Sequence, residues 1–220
     1  MLLFFTVSVL VSDVDKALKS LLQNNPGIWC GGESIKKYPQ GLPTGFDALD
    51  NILPTHGWPT NALIEVLLPR WGIGELQLLL PVIVAMSQHP KWVAWISPPF
   101  VPYAPALVYA GVDIEHLVVI PKEESKAESL WAMEKILRNK SCGIAMSWPQ
   151  KINDKAMRRL QLAAEEGGSL GFVFRDYQVV SSPAALRISL SIINHQLQVT
   201  LLKARGASRG QSILLDLPIL

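Results

Sequence analysis

The residues whose types and spacing could bind a nucleotide lie in a strand, a loop and a helix. Residues 63–67 (LIEVL) are short, apolar and bounded by turn signals, which predicts a buried strand. A glycine-containing loop follows at residues 69–74, and a long apolar helix begins at about Glu75. This is the layout of a phosphate-binding loop. In such a loop, backbone N–H groups hold phosphates, a Lys neutralises their charge, and a Ser or Thr holds Mg²⁺.

The side chains that such a loop requires are missing. If Gly74 is the last loop glycine, Glu75 stands at the position of the Lys and Leu76 at that of the Ser or Thr. Pro69 replaces the first glycine, and Gly72 lies inside the loop. A carboxylate repels a phosphate by about 4 kcal/mol at a separation of about 4 Å and an effective dielectric of about 20. We therefore expect a degenerate loop that binds no ATP, and no cofactor elsewhere.

A family resemblance begins just before this loop. Residues 44–69 (TGFDALDNILPTHGWPTNALIEVLLP) resemble the segment that leads into the phosphate-binding loop of RecA-type ATPases. Within that superfamily the chain resembles the ImuA family, small SOS-regulated proteins associated with error-prone polymerases in bacteria. It is more distantly similar to the SulA family of SOS cell-division inhibitors. The resemblance covers residues 41–202, and ISPPFVPYAPAL, SSPAALRISL and LLKARG are similar to ImuA proteins in particular.

The resemblance also implies where other catalytic groups of a RecA-type ATPase would stand. The catalytic Glu falls at about Pro99, and the Walker B acid falls at Ser147 or Trp148. Together with the loop, three active-site positions are empty, so the resemblance implies a pseudo-ATPase rather than an enzyme. The residues themselves show no Ser/His/Asp arrangement, and the four histidines have no metal-binding spacing.

The predicted elements alternate between strands and helices, which favours βαβ units and a mostly parallel sheet. Two alternating runs, residues 186–193 and 197–203, predict an antiparallel hairpin at the sheet edge. The fold class is therefore α/β, and the resemblance implies a RecA-like three-layer domain. We divide the chain into an N-terminal helix and irregular lead-in (residues 1–40), a core domain (41–203) and a C-terminal tail (204–220).

Composition excludes several classes of protein. An apolar content of 49% is too high for a disordered chain, and a net charge of +2 is too small for chain-wide attraction to nucleic acid. Cys30 and Cys142 share no motif and are interpreted as reduced thiols, which favours a cytoplasmic protein. Residues 1–11 are apolar but too few to span a bilayer, and we interpret them as an extension or a start-site artefact.

Several residues are candidates for binding other molecules. Exposed Arg or Trp side chains are frequent interface anchors, although a loop Trp can equally pack on the sheet. A stiff, proline-rich loop with aromatic side chains follows the second strand of the core. The candidates for protein contact are Arg70, Trp71, Phe100, Tyr103, Ile213, Leu214 and Leu215. The last three also fit a final strand of the chain's own sheet, which we favour slightly. Lys203, Arg205 and Arg209 are candidates for weak DNA contact or for a solvated tail.

Three functions remain open at this point. The resemblance implies a non-catalytic adaptor of SOS-induced translesion DNA synthesis. Such an adaptor would bind a RecA-type recombinase and an inactive Y-family polymerase paralogue, and indirectly an error-prone C-family polymerase and the sliding clamp. The alternative is a SulA-like inhibitor that binds the tubulin-like division protein and blocks its polymerisation. A residual ATPase is the third possibility, and it requires a Lys and an acid that the matching positions lack.

Overall fold

The computed structural model describes residues 40–122, 126–149, 151–176, 182–204 and 210–217, all within the compact unit Tyr38–Leu220. The predicted N-terminal helix lies outside the described residues. The described helices are α1 (Asp47–Ile52), α2 (Glu75–Ser87), α3 (Ala104–Tyr109), α4 (Lys126–Arg138) and α5 (Asp154–Gly167), with a short 3-10 helix at Ile114–His116. The strands are β1 (Ala62–Leu67), β2 (Trp92–Ile96), β3 (Leu117–Ile120), β4 (Cys142–Ser147), β5 (Leu170–Arg175), β6 (Leu186–Ile193), β7 (Gln196–Ala204) and β8 (Ser212–Leu215).

The described strands form one mixed sheet of eight, in the order β3-β2-β4-β5-β1-β6-β7-β8. Pairings from β3 to β6 are parallel, and those of β6 with β7 and of β7 with β8 are antiparallel. The α/β class predicted from the sequence is confirmed. The hairpin of β6 and β7 is also present, but its predicted place at the sheet edge is wrong, because β8 pairs with β7 and forms that edge.

Helices cover both faces of the parallel part of the sheet. Along β1, Ile64 belongs to a core shared with α2, and Leu63 to a core shared with α4 and α5. Neighbouring residues of a strand point to opposite faces, so a strand buried on both faces is apolar throughout, as the LIEVL pattern indicated. The exception in β1 is Glu65, which is fully buried.

The helix boundaries follow from local signals. The Asn153 side chain accepts a hydrogen bond from the backbone N–H of Ala156 at 2.9 Å and caps α5, as its sequence indicated. Gly168 ends that helix with a φ of 71°, a conformation that glycine adopts without strain. Within the described part of the chain, no helix combines the length and the apolar character that crossing a bilayer requires.

Candidate functional site

The loop that follows β1 is closed by a carboxylate of the chain itself, that of Glu75. Gly72 and Gly74 have positive φ angles, and α2 begins at the next residue, Glu75. The Glu75 carboxylate accepts hydrogen bonds from the backbone N–H of Gly72 at 2.8 Å and of Ile73 at 2.9 Å. The side chain is buried, with 4% of the residue exposed. These two donors are satisfied within the chain, so they are not available to an external anion.

Aromatic side chains pack at the carboxyl ends of the neighbouring strands β4 and β5. Trp148 follows β4, where the resemblance placed the Walker B acid, and it stacks on Phe174 at a centroid distance of 4.7 Å. Trp95 lies 6.0 Å from Trp148. All three rings belong to the core that α2 covers. The ends of these strands are therefore filled by apolar side chains, and the Ser147 hydroxyl beside them is buried without a hydrogen-bond partner among the described residues.

The described residues form no metal-binding cluster, and their cysteine is not activated. No three His, Cys, Asp or Glu side chains in the described ranges lie where they could hold a metal ion. Burial raises the pKa of the Cys142 thiol to about 11, which makes it a poor nucleophile near neutral pH. Cys30 lies outside the described residues.

The surface next to β2 and β3 is unusually apolar. Fifteen large hydrophobic residues are exposed among those the structure describes, and nine of them lie between positions 92 and 119. We call these nine the apolar flank: Trp92, Phe100, Val101, Tyr103, Val108, Tyr109, Ile114, Val118 and Val119. Between positions 97 and 121, Asp113 and Glu115 are the only acidic residues, and there is no Lys or Arg. The nine residues lie on both faces of the sheet, because Val118 and Val119 are neighbours on one strand and point to opposite sides. Large exposed apolar surfaces mark sites of protein interaction.

Helix α3 shows why part of the apolar flank stays exposed. Helix α3 has only six residues, none of them buried, so its Val108 and Tyr109 remain 52% and 86% exposed. Its C-terminal end is tied to α2, because the Gln88 side chain donates to the Gly111 carbonyl at 3.0 Å. The Ser87 hydroxyl also accepts from the backbone N–H of Asp113 at 3.0 Å. The helix is therefore held in place while its apolar side chains have no core to enter.

Two polar residues lie where the flank meets β3. The His116 ring nitrogen Nδ1 lies 2.7 Å from Asp113 Oδ2, and the backbone N–H of Glu115 donates to Asp113 Oδ1 at 3.0 Å. The His116 hydrogen bond, followed by that of Glu115, lowers the pKa of Asp113. The His116 ring is 5.7 Å from the Trp92 ring. This end of the flank therefore carries negative charge beside an exposed indole.

A buried charge cluster lies in the middle of the sheet, on the adjacent strands β5, β1 and β6. Glu65 is fully buried, and its carboxylate lies 2.7 Å from Arg175 Nη1 and 2.8 Å from Arg187 Nε. Arg175 also donates to the Ile152 carbonyl at 3.0 Å. Glu65 and Arg187 were not among the residues chosen from the sequence. A charged residue inside an apolar strand was the available signal, because such residues are almost never buried without a partner.

The structure distributes the predicted contact residues over separate surfaces. Phe100 and Tyr103 lie in the apolar flank, with exposures of 70% and 72%. Arg70 and Trp71 are exposed on the loop after β1. This loop lies at the same ends of the parallel strands as Phe100 and Tyr103, but β4 and β5 separate β1 from β2. The last three candidates belong to the edge strand β8, with Leu214 exposed, Ile213 half-buried and Leu215 buried: this is the own-sheet strand that we favoured for residues 213–215.

The candidates for DNA contact do not form a described patch. The Lys203 ammonium group donates to the carbonyls of Ser182 and Ala184 at 2.8 Å each, so it is engaged inside the chain. Arg205 and Arg209 lie outside the described residues. DNA contact therefore stays a prediction from the sequence.

The comparisons with known proteins agree on one family. Residues 72–171 match the family model "Cell division inhibitor SulA". The relative from Serratia marcescens is 26% identical over 105 residues, which is 48% of this chain and 62% of that protein. The relative from Yersinia pestis (strain Pestoides F) is 29% identical over 99 residues, 45% of this chain and 58% of that protein. Both are named cell division inhibitor SulA. The chain thus spans about 60% of the length of these relatives.

A solved structure is also similar. The crystal structure of SulA from Pseudomonas aeruginosa matches 51% of this chain and 97% of its own, with 23% sequence identity and a TM-score of 0.43.

These findings correct the main functional hypothesis. The ImuA-like adaptor of translesion synthesis is wrong, because the matching family and the named relatives are cell division inhibitors. The misleading segment, residues 44–69, is largely scaffold: Leu49, Leu53 and Trp58 are at most 1% exposed. Buried residues of this kind are selected for packing, and packing is shared by proteins of different function.

Proposed function

We propose that this protein is an inhibitor of bacterial cell division that binds the tubulin-like division protein and blocks its polymerisation. The observation that carries the proposal is the position of the apolar flank, which lies inside the region that matches the SulA family. A chain that inhibits polymerisation needs an exposed surface with a strong affinity for one subunit. The flank is the part of the described surface with the chemistry for that contact.

The flank has the composition of a protein interface. Phe100, Tyr103 and Tyr109 are 70–86% exposed, and aromatic side chains of this kind supply most of the energy where they are buried at an interface centre. Burying one such side chain contributes about 1.5–3 kcal/mol. A micromolar complex requires about 8 kcal/mol in total. Three or four aromatic anchors contribute about 4.5–12 kcal/mol before the cost of association, which is at least about 4 kcal/mol. The aliphatic residues of the flank therefore have to contribute to the affinity as well.

We further propose that the protein acts by occupancy and not by catalysis. The described residues form no metal-binding cluster, and the Glu75 carboxylate accepts the hydrogen bonds of two N–H groups in the loop in which a nucleotide phosphate would bind. This arrangement supports a RecA-like scaffold whose phosphate-binding loop is degenerate. In such a scaffold the apolar flank, and not the loop, binds the partner. Inhibition should then require about one molecule of inhibitor for each subunit that it removes.

The test is an assay of nucleotide-driven polymerisation of the division protein from the same host. Light scattering and sedimentation should show polymer falling to zero as the purified protein approaches one equivalent. The double variant F100A/Y109A should raise the half-inhibiting concentration at least tenfold. Leu162→Ala is the matched control, since Leu162 is 54% exposed on α5 at the opposite face of the sheet. It should inhibit like the wild type.

Two results would count against the proposal. If an excess of the wild-type protein leaves polymerisation unaffected, the proposed function is refuted. Equal inhibition by the wild type and by F100A/Y109A would keep the function but place it on another surface. A parallel binding assay with the recombinase and the Y-family polymerase paralogue tests the remaining partner predictions, and neither should bind.

A further inference from the structure

The outer edge of β3 has a backbone donor that meets no acceptor among the described residues. The structure gives a hydrogen bond from the backbone N–H of Ser97 to the carbonyl of Ile120 at 2.8 Å. In a parallel ladder, successive residues point alternately toward and away from the neighbouring strand. The register of Ile96 with Ile120 therefore directs the backbone groups of Val118 and Ile120 toward β2. The N–H and C=O of Val119 point away from β2, toward the outside of the sheet.

No described residue satisfies this donor. β3 pairs with β2, and no second strand among the described residues lies on its other side. The backbone N–H of Leu117 is used by the carbonyl of Ile114, whereas the N–H of Val119 has no acceptor among the described residues. The outer edge thus presents one N–H between two carbonyls, those of Leu117 and Val119.

Apart from its short length of four residues, β3 lacks the features that normally protect an edge strand. Its sequence, LVVI, contains no charged residue and no proline, and its register with β2 has no bulge. Val118 and Val119 are 38% and 40% exposed on opposite faces of the strand, and Val119 shares the face of Leu117, which packs against the core that α2 covers. Natural proteins place charges, prolines or bulges on such edges to prevent pairing with another chain. An unprotected edge within an interaction surface is suited to accept a strand.

Charge at the two ends of β3 restricts the occupant. Asp113 and Glu115 precede the strand, and Lys122 follows it. The Asp113 carboxylate is held in the charged form by His116. A complementary segment is apolar at its centre, with a cationic side chain beside Asp113 and Glu115 and an anionic one beside Lys122.

We propose that an extended segment of the division protein, with that charge pattern, pairs with the outer edge of β3 through the backbone of Val119. The inference rests on the proposed function, because it names how the partner engages the flank. The added strand fixes the register of the complex, and the aromatic residues of the flank supply affinity.

Amide hydrogen exchange tests this on the wild-type protein. In the free protein the Val119 amide should exchange rapidly, whereas the Ile120 amide, which points toward β2, should be protected. Adding a saturating amount of the division protein should slow exchange at Val119 at least 100-fold and change Ile120 little. Protection of Val119 that appears without the division protein, as this chain is concentrated, would mean that a second copy occupies the edge and would overturn the proposal.

A pair of variants tests the donor itself. Val119→Pro removes the outward N–H and leaves the hydrogen bonds of Val118 and Ile120 to β2 in place, and prolines are tolerated on such edges. Val119→Thr has nearly the same shape and keeps the N–H. We expect the proline variant to bind the division protein at least 30-fold more weakly, and the threonine variant to bind within threefold of the wild type.

The outcomes separate the two proposals. If the wild type does not bind the division protein, both fail. If it binds while Val119 still exchanges rapidly, the strand-pairing inference fails and the proposed function stands. If Val119→Pro does not fold, as its thermal unfolding would show, the exchange experiment on the wild type decides alone.

Discussion

Replacing Glu65 by Gln should destabilise the fold more than any change to an exposed ion pair. Glu65 is fully buried, and its two arginine partners have side-chain exposures of only 12% and 9%. The substitution removes the negative charge and leaves the guanidinium groups of Arg175 and Arg187 close together in a poorly solvated site. Removing one partner of a buried ion pair costs about 3–5 kcal/mol. For a domain of this size, that corresponds to a decrease of about 6–20 °C in the unfolding midpoint.

Glu134→Gln is the matched control. Glu134 is also a buried carboxylate and also contacts two arginines, Arg138 and Arg159, but their side chains are 40% and 57% exposed. Water can solvate those guanidinium groups once the charge is gone, so we expect a cost of about 1 kcal/mol or less. Urea unfolding followed by circular dichroism measures both variants. Equal destabilisation by the two substitutions would refute the argument that partner burial sets the cost.

Three further predictions concern single groups. Glu75→Ala removes the acceptor of two loop N–H groups and should lower the free energy of unfolding by about 1–3 kcal/mol, measured by urea unfolding, whereas an unchanged free energy would show that water replaces the carboxylate. His116→Ala should raise the pKa of Asp113 toward its ordinary value, which a carboxyl NMR titration measures. Because the folded-state pKa of Asp113 is lowered, its pairing favours the folded state above the ordinary pKa, and the contribution disappears as the pH falls through the folded-state value. Cys142 should react with iodoacetamide at pH 8 only after unfolding, as peptide mapping would show, because burial raises its pKa to about 11.

Local patterns predicted most of the elements correctly. The LIEVL strand, the capped helix α5 and the antiparallel hairpin each depend on apolar periodicity, a cap or turn residues within about ten positions. The buried charge cluster could not be predicted in this way, because Glu65 and Arg175 are separated by 110 positions along the chain. Their contact depends on β1 and β5 being neighbours in the sheet.

The apolar flank was predicted only in part. Phe100 and Tyr103 were chosen because they follow a strand in a proline-rich loop. Val118 and Val119 were not chosen, because no strand was predicted at residues 117–120 and nothing in the sequence shows that these residues lie at a sheet edge. Exposure here results from the order of strands, which a single sequence does not determine.

The contacts of Glu75 add a second physical reason to the prediction that the loop binds no nucleotide. The sequence predicted only that the Glu75 carboxylate repels a phosphate. The structure adds that the carboxylate takes the place of the anion, because it accepts the hydrogen bonds of Gly72 and Ile73. A nucleotide would have to displace this carboxylate and then share the site with its charge.

The loop can therefore be tested without reference to any partner. A ligand that binds only the folded state stabilises it by RT ln(1 + [L]/Kd). At about 5 mM ATP with Mg²⁺, a site with a dissociation constant of about 10 μM would contribute about 3.7 kcal/mol, or about 7–15 °C in the unfolding midpoint of a domain of this size. We expect a shift below about 1 °C, because Glu75 satisfies the loop donors and repels phosphate. A shift of several degrees that Gly72→Pro abolishes would show that the loop still binds nucleotide, and the occupancy mechanism would have to be replaced by a nucleotide-dependent one.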